Sequence, residues 1–138
     1  MLTELKTKLG NNFPNPESVE DRNIIVSVSL RIASQFKVCR ERLTFFKWID
    51  NMFDEFFKQG DMERQLELPL TKFCDRENTQ KEKAFSNYLT VVSRPLFSTF
   101  MILVEDPEDP NINDLIFKDG IDKNKKGLEA RIEETSGK

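Results

Sequence analysis

A run of large apolar residues between positions 42 and 58 constrains the fold more than any other part of the sequence. Its members recur every three or four positions, which places them on one face of a helix: Phe45, Trp48, Ile49, Met52, Phe53 and Phe56. Polar residues occupy the other face. The pattern predicts an amphipathic helix that packs into a core, with the lining of a ligand pocket as the alternative. Gly60 stands where a left-handed C-terminal cap would end the helix.

The stretch 23–38 carries two apolar periods at once. Val26, Val28 and Leu30 alternate with polar residues as in a strand, whereas Ile25, Val28 and Ile32 share one helical face. Because the pattern runs past ten residues without a turn signal, its length favours a helix.

The remaining elements are also predicted to be helical. A short pattern over 2–9 precedes a loop, and a short helix after Gly60 passes into an irregular segment. Thr79–Glu82 resembles a capping box that opens a long helix, which Pro95 should kink without ending. A weaker helix covers 111–134. We therefore predict an all-α domain of about five to six helices.

Composition excludes several classes of function. The 138 residues contain no histidine, which excludes Ser-His-Asp and Cys-His catalysis and imidazole-bound zinc from these residues alone. The net charge of −3 argues against a nucleic-acid or anionic-membrane binder. Cys39 and Cys74 are expected to be reduced thiols. No apolar run approaches the roughly 20 residues of a membrane span, so we expect a cytoplasmic protein.

Residues 122–133 partly match a calcium-binding loop. Asp122, Asn124, Gly127 and Glu133 fall at suitable positions, but Lys126 occupies a position that needs an oxygen ligand. We expect a solvated charged helix and no metal here.

Three segments together resemble one family. Residues 55–64 read Glu-Phe-Phe-Lys-Gln-Gly-Asp-Met-Glu-Arg, which resembles the E-F-F-x-Q-G-D-x-E-R segment of class I 3′,5′-cyclic nucleotide phosphodiesterases. Residues 73–76 resemble the family's P-x-C-D-[RK] loop, although Lys72 replaces the proline, and 95–97 resemble its P-L-[FW]. The resemblance covers roughly residues 2–133 and about the C-terminal two-fifths of the family's catalytic domain. It implies a partial helical domain over 1–105, completed by a C-terminal helix and tail over 106–138.

The resemblance also assigns the family's site positions to this chain. The family uses zinc and magnesium, and its metal-binding aspartate corresponds to Ser34. Its purine-binding glutamine corresponds to Phe85, its aromatic clamp to Tyr88, and a pocket-wall tryptophan to Trp48. Since a neutral hydroxyl is a poor substitute for a carboxylate on a divalent ion, we expect no catalytic residues, no metal and no cofactor.

These losses predict a non-catalytic phosphodiesterase-like protein that acts as a structural or interaction subunit of a larger assembly. The alternatives are one part of a split phosphodiesterase, with metal ligands from another chain, and a cyclic-nucleotide binder that does not hydrolyse its ligand. We expect protein partners, without nucleic acid, membrane span or bound cyclic nucleotide, in a cytoplasmic assembly such as a cytoskeletal or ciliary one. The predicted interaction face comprises Ile32, Phe36, Trp48, Phe85 and Tyr88.

Overall fold

The computed structural model describes residues 7, 14–15, 17–104 and 114–136, and every regular element within them is helical. This confirms the all-α prediction. The described helices are α1 (Val19–Gln35, continued by a 3-10 turn, Phe36–Cys39), α2 (Arg42–Gln65), α3 (Lys81–Val104) and α4 (Asp114–Asp122 followed by Lys123–Ser136). Four helical segments are fewer than the five to six predicted. The helix predicted over 2–9 lies outside the described residues apart from Thr7, as does the turn over 106–110.

The stretch 23–38, whose apolar pattern fits both a strand and a helix, is helical in the structure. Its N-terminus is capped by Ser18, whose hydroxyl accepts a hydrogen bond from the Asp21 amide at 3.3 Å. Val28 and Ile32 are buried, while Val26 and Leu30 point to solvent. The strand-like alternation therefore separates residues that lie on different faces of one helix.

Helix α2 forms as predicted, but it is longer, and its buried face is displaced from the predicted one while still including Phe45, Ile49 and Phe53. Its fully buried side is Phe45, Phe46, Ile49, Phe53, Phe57 and Gly60. Trp48, Met52 and Phe56 are only half-buried. The helix continues through Gly60 to Gln65, so the predicted C-terminal cap at Gly60 is wrong, and the short helix predicted after it is the last part of α2.

Gly60 is instead required by a close approach of the chain to itself. No glycine in the described ranges has a positive φ. A Cβ atom at Gly60 would lie 1.9 Å from the carbonyl oxygen of Cys74. The absent side chain therefore allows the loop after α2 to fold back directly onto the helix.

Helix α3 begins without the predicted capping box and continues past Pro95, as predicted. It begins at Lys81 after Gln80, which makes no side-chain capping bond, and Thr79 belongs to the preceding loop. A wide π-helical turn at Leu89–Ser93 comes just before Pro95, and the α-helix then resumes. Proline lacks the amide hydrogen and crowds the preceding turn, so a widened turn accommodates it without ending the helix.

Helix α3 is also long and apolar enough, by length and composition, to cross a membrane. Core helices of soluble proteins pass the same test. Here Leu89, Leu96 and Phe97 are buried against the other helices. Only 33% of its most apolar 18-residue window is buried. The absence of a membrane span therefore stays a prediction.

Helix α4 closes the core through a buried asparagine. The Asn124 side-chain amide donates to the carbonyl oxygens of Val38 at 2.9 Å and Arg40 at 2.8 Å, which fixes α4 to the turn after α1. The segment 122–133, predicted to be a solvated charged helix, is helical from Lys123 onward, so the calcium-loop pattern is not a loop. However, Asn124 and Leu128 are buried and hold one side of that helix in the core.

Candidate functional site: an apolar groove between α1, α2 and α3

A groove of about 660 Å³ opens where the end of α1, the middle of α2, the loop 66–80 and the first half of α3 meet. Its apolar walls include Trp48, Met52, Phe56, Phe73, Tyr88 and Val92. The three α2 members are the half-buried part of the predicted stripe. The stripe therefore serves both of its predicted roles, since one side of α2 enters the core and the adjoining side lines a pocket.

Phe85 lies between the groove and the core. Only 4% of its side chain is exposed. Its ring centroid lies 5.8 Å from that of Phe45, 5.5 Å from that of Trp48 and 5.4 Å from that of Tyr88. Edge-on and tilted packing at these distances is favourable for aromatic rings. A phenyl ring offers no hydrogen bond, so this part of the groove is apolar.

Tyr88 connects α3 to the end of α1. Its hydroxyl donates to the Gln35 side-chain oxygen at 2.7 Å. Burial is the main cause that raises the pKa of Tyr88 above its ordinary value, so the hydroxyl stays protonated at neutral pH. The bond engages the Tyr88 hydroxyl and the Gln35 side-chain oxygen, and both residues line the groove.

Two lysines contribute positive charge to the groove. The Lys37 ammonium lies 4.3 Å from the ring centroid of Trp48, and that of Lys72 lies 4.9 Å from the ring centroid of Phe73. Cations at these distances are attracted to the aromatic faces. No sequence pattern identifies Lys37 as a site residue, because only the folded chain brings its ammonium group over Trp48.

The E-F-F-x-Q-G-D-x-E-R segment attaches the loop 66–80 to α2. The Glu63 carboxylate accepts hydrogen bonds from the Gln59 side chain at 2.7 Å, and from the Thr71 amide at 2.7 Å and hydroxyl at 2.6 Å. These bonds hold the pKa of Glu63 below its usual value. Two ion pairs add to them, Arg64 with Asp75 at 3.1 Å and Arg76 with Asp61 at 2.8 Å.

This attachment places Phe73 in the groove wall. Phe73 adopts a φ of 72°, which is rare for a residue with a bulky side chain, so neighbouring contacts must hold it there. Next to it, the Cys74 carbonyl packs on Gly60. The most recognisable segment of the sequence therefore contributes to the site indirectly, by positioning the loop that closes one side of it.

Ser34, which the sequence resemblance aligns with the family's metal-binding aspartate, is not among the residues that line the groove. It is exposed on α1, and its hydroxyl donates to the Arg31 carbonyl at 2.8 Å. Within the described part of the chain, no three acidic, cysteine or histidine side chains come together as a metal site would require. The described residues therefore do not fit the metal centre that the family resemblance implies.

The predicted interaction face divides into three environments. Ile32 and Phe85 are buried in the chain's own core. Trp48 and Tyr88 are half-buried and line the groove. Phe36, directly after α1, is 41% exposed. Only the last three residues are accessible in the structure.

Comparison with known proteins agrees with the motifs. Residues 1–114 match the family described as 3′,5′-cyclic nucleotide phosphodiesterase. A probable 3′,5′-cyclic-AMP phosphodiesterase of Caenorhabditis elegans is 26% identical over 133 residues, which cover 96% of this chain and 19% of that protein. The 3′,5′-cyclic-AMP phosphodiesterase 4C of Mus musculus is 29% identical over 86 residues, which cover 62% of this chain and 12% of that protein.

The chain thus spans a fifth or less of the length of these relatives. The family match nevertheless includes α1, α2, α3 and every residue that lines the groove. This chain belongs to the 3′,5′-cyclic nucleotide phosphodiesterase family.

Proposed function

We propose that this chain is a non-catalytic member of its family and acts as a structural or interaction subunit of a larger assembly. The observation that carries the proposal is the environment of Phe85. At the position of the family's purine-binding glutamine, a phenyl ring packs on Phe45, Trp48 and Tyr88. A purine in this groove would leave the polar edge of its base without the partners that an amide supplies, at a cost of about 1–3 kcal/mol for each unpaired group.

The surroundings of Ser34 support the same proposal. Its hydroxyl is neutral and is already bonded to the Arg31 carbonyl. Divalent ions such as magnesium prefer carboxylate oxygens, so this position gives little affinity for one. On the alignment that the sequence resemblance implies, the chain therefore lacks two of the side chains that the family's chemistry needs.

We further propose that the partners are other protein subunits of a cytoplasmic assembly, such as a cytoskeletal or ciliary one. The accessible apolar side chains around the groove support protein partners. The proposal involves no metal, no cofactor, no nucleic acid and no membrane span.

An activity assay on the purified chain tests the proposal. We expect no hydrolysis of cyclic AMP or cyclic GMP with magnesium, manganese or zinc, and no binding heat in calorimetry. Turnover that follows the protein through purification would contradict it. Saturable heat without turnover would favour the non-hydrolysing binder. Turnover that appears only when a second, histidine-bearing chain is added would favour the split enzyme.

A further inference from the structure

A second cavity of about 410 Å³ adjoins the groove. The two share Phe73, Ala84 and Asn87 as lining residues, so they form one continuous depression along the start of α3. The second cavity is lined mainly by polar side chains, among them Thr79 and Lys83. The depression therefore has an apolar part and a polar part, as a site for an amphipathic ligand does.

The charge along this depression is opposite in sign to that of the whole chain. Lys37, Lys72 and Lys83 line it, and neither cavity has an aspartate or glutamate among its lining residues. Across the described residues, none of these three lysines forms an ion pair, whereas Lys81 and Arg131 both pair with Asp50. In a chain with a net charge of −3, three lysines without a carboxylate partner in the described residues favour an acidic occupant.

The exposed apolar surface continues beyond the cavities. Val91 and Phe73 line the groove yet remain 73% and 42% exposed, and Phe36 lies between the lining residues Gln35 and Lys37. A small molecule confined to the cavity would leave these side chains in water. A polypeptide segment can fill the cavity and cover them as well, which removes more apolar surface from water.

We propose that this depression binds an acidic, amphipathic segment of a partner protein. The segment inserts large apolar side chains between Trp48 and Phe73, and its carboxylates pair with Lys37, Lys72 and Lys83. The inference rests on the proposed role as an interaction subunit and gives the chemistry of the partner. Buried apolar anchors with a charged rim are the usual arrangement of such sites.

Trp48 provides a direct readout, because it is the only tryptophan of the chain and it lines the groove. Peptides are selected from a random displayed library on the immobilised full chain. The consensus is then synthesised without tryptophan and titrated while Trp48 fluorescence is recorded. We expect selected peptides to carry Phe, Leu or Met flanked by Asp or Glu, and binding to shift the emission of Trp48.

Matched variants test the two parts of the proposal. The double substitution Lys37→Glu and Lys72→Glu should weaken peptide binding about tenfold. Lys58→Glu, on the exposed side of α2 and outside both cavities, should leave it unchanged. Ala84→Phe, which fills the groove without adding a second tryptophan, and Val91→Asp, at an exposed position that leaves the core intact, should each abolish the fluorescence response. Circular dichroism checks that each variant is folded.

Several outcomes would overturn the proposal. These are a selection that yields no binder, binders without acidic residues, and binding that survives both Ala84→Phe and Val91→Asp. A Trp48 response to a small apolar dye but to no peptide would assign the groove to a small ligand and also overturn it. Cyclic-nucleotide hydrolysis would refute the proposed function whatever the peptides do, whereas failed peptide binding without hydrolysis refutes only this inference.

Discussion

Gly60 illustrates, at the scale of a single residue, why a sequence pattern can be right about a position and wrong about its cause. A glycine after an apolar helical run usually signals a C-terminal cap. Here the helix continues, and the glycine is needed because the Cys74 carbonyl packs on it. Nothing in the local sequence distinguishes the two cases, since the contact joins residues fourteen positions apart.

We predict that Gly60→Ala destabilises the protein although alanine is the better helix former. The new Cβ atom would lie 1.9 Å from the Cys74 oxygen and 2.7 Å from its carbonyl carbon, so backbone has to move. We expect a loss of about 1–3 kcal/mol in the free energy of unfolding, measured with urea. Gly127→Ala is the matched control, because its Cβ would meet only side-chain atoms of Phe46 and Arg42. Equal effects of both substitutions would contradict the argument.

The second prediction at the scale of a residue concerns Phe85. Phe85→Gln restores the family's amide, but it removes ring contacts with Phe45 and Trp48 and places an amide at a position that is 4% exposed. We expect a loss of about 2–4 kcal/mol in denaturant unfolding. Phe85→Leu, which keeps the site apolar, should cost clearly less. If Phe85→Gln is neutral, or gains cyclic-nucleotide binding, then the ring is not a structural replacement.

At the scale of helices, periodicity predicts that α2 exists and identifies Phe45, Ile49 and Phe53 on its buried side, but it does not fix the limits of that side. The apolar pattern places Trp48 and Phe56 in the core, whereas the structure buries Phe46 and Phe57 more completely. Residues from elsewhere in the chain cover these two rings. The Arg131 guanidinium lies 3.7 Å from the ring centroid of Phe46, and the Arg76 guanidinium lies 5.1 Å from that of Phe57. Such tertiary partners are invisible to a local period.

The groove could be predicted only in part for the same reason. The family motifs identified Trp48, Phe85 and Tyr88, which the structure does bring together. They did not identify Lys37 or Phe73, whose positions depend on how the chain leaves α1 and how the loop 66–80 folds back. Side chains on separate elements meet through the fold, so spacing within the sequence carries no signal for them.

Attachment of the loop 66–80 through Glu63 predicts a pH dependence of stability. Hydrogen bonds from Gln59 and Thr71 depress the folded-state pKa of Glu63 below the usual value of 4.5. The ionised carboxylate therefore contributes stability that is fully present above the unfolded pKa and is lost as the pH falls through the folded pKa. We expect the free energy of unfolding to decline as the pH falls below about 4.5.

Glu63→Gln tests this dependence. It should lower stability at neutral pH and flatten the decline in acid, as measured by urea unfolding at a series of pH values. Asp75, whose pKa is also lowered, mainly by hydrogen bonds from Asn78 and Glu77, should account for part of the remaining slope. Glu55→Gln, on the exposed side of the same helix, is the matched control and should leave the profile unchanged. An identical profile for both variants would refute the role of Glu63.

At the scale of the whole molecule, the motifs were sufficient for the family and the all-helical class, but not for the surfaces left open. Val19, Val26 and Leu30 are 61%, 55% and 67% exposed and fall on one face of α1. An apolar face that the described helices leave uncovered has a free-energy cost in water and favours association. This face is distinct from the groove, since none of its residues lines either cavity.

The last prediction follows from that face. We expect the isolated chain to bind a hydrophobic dye and to self-associate in a concentration-dependent manner, measured by light scattering. The double substitution Val26→Ser and Leu30→Ser should reduce both effects while changing the free energy of unfolding by no more than about 0.5 kcal/mol per site, because both side chains are exposed. Val28→Ser, at a fully buried position of the same helix, should instead destabilise the fold and increase dye binding. A monodisperse monomer that binds no dye would contradict the prediction, and it would mean that this face of α1 is compatible with water as it stands.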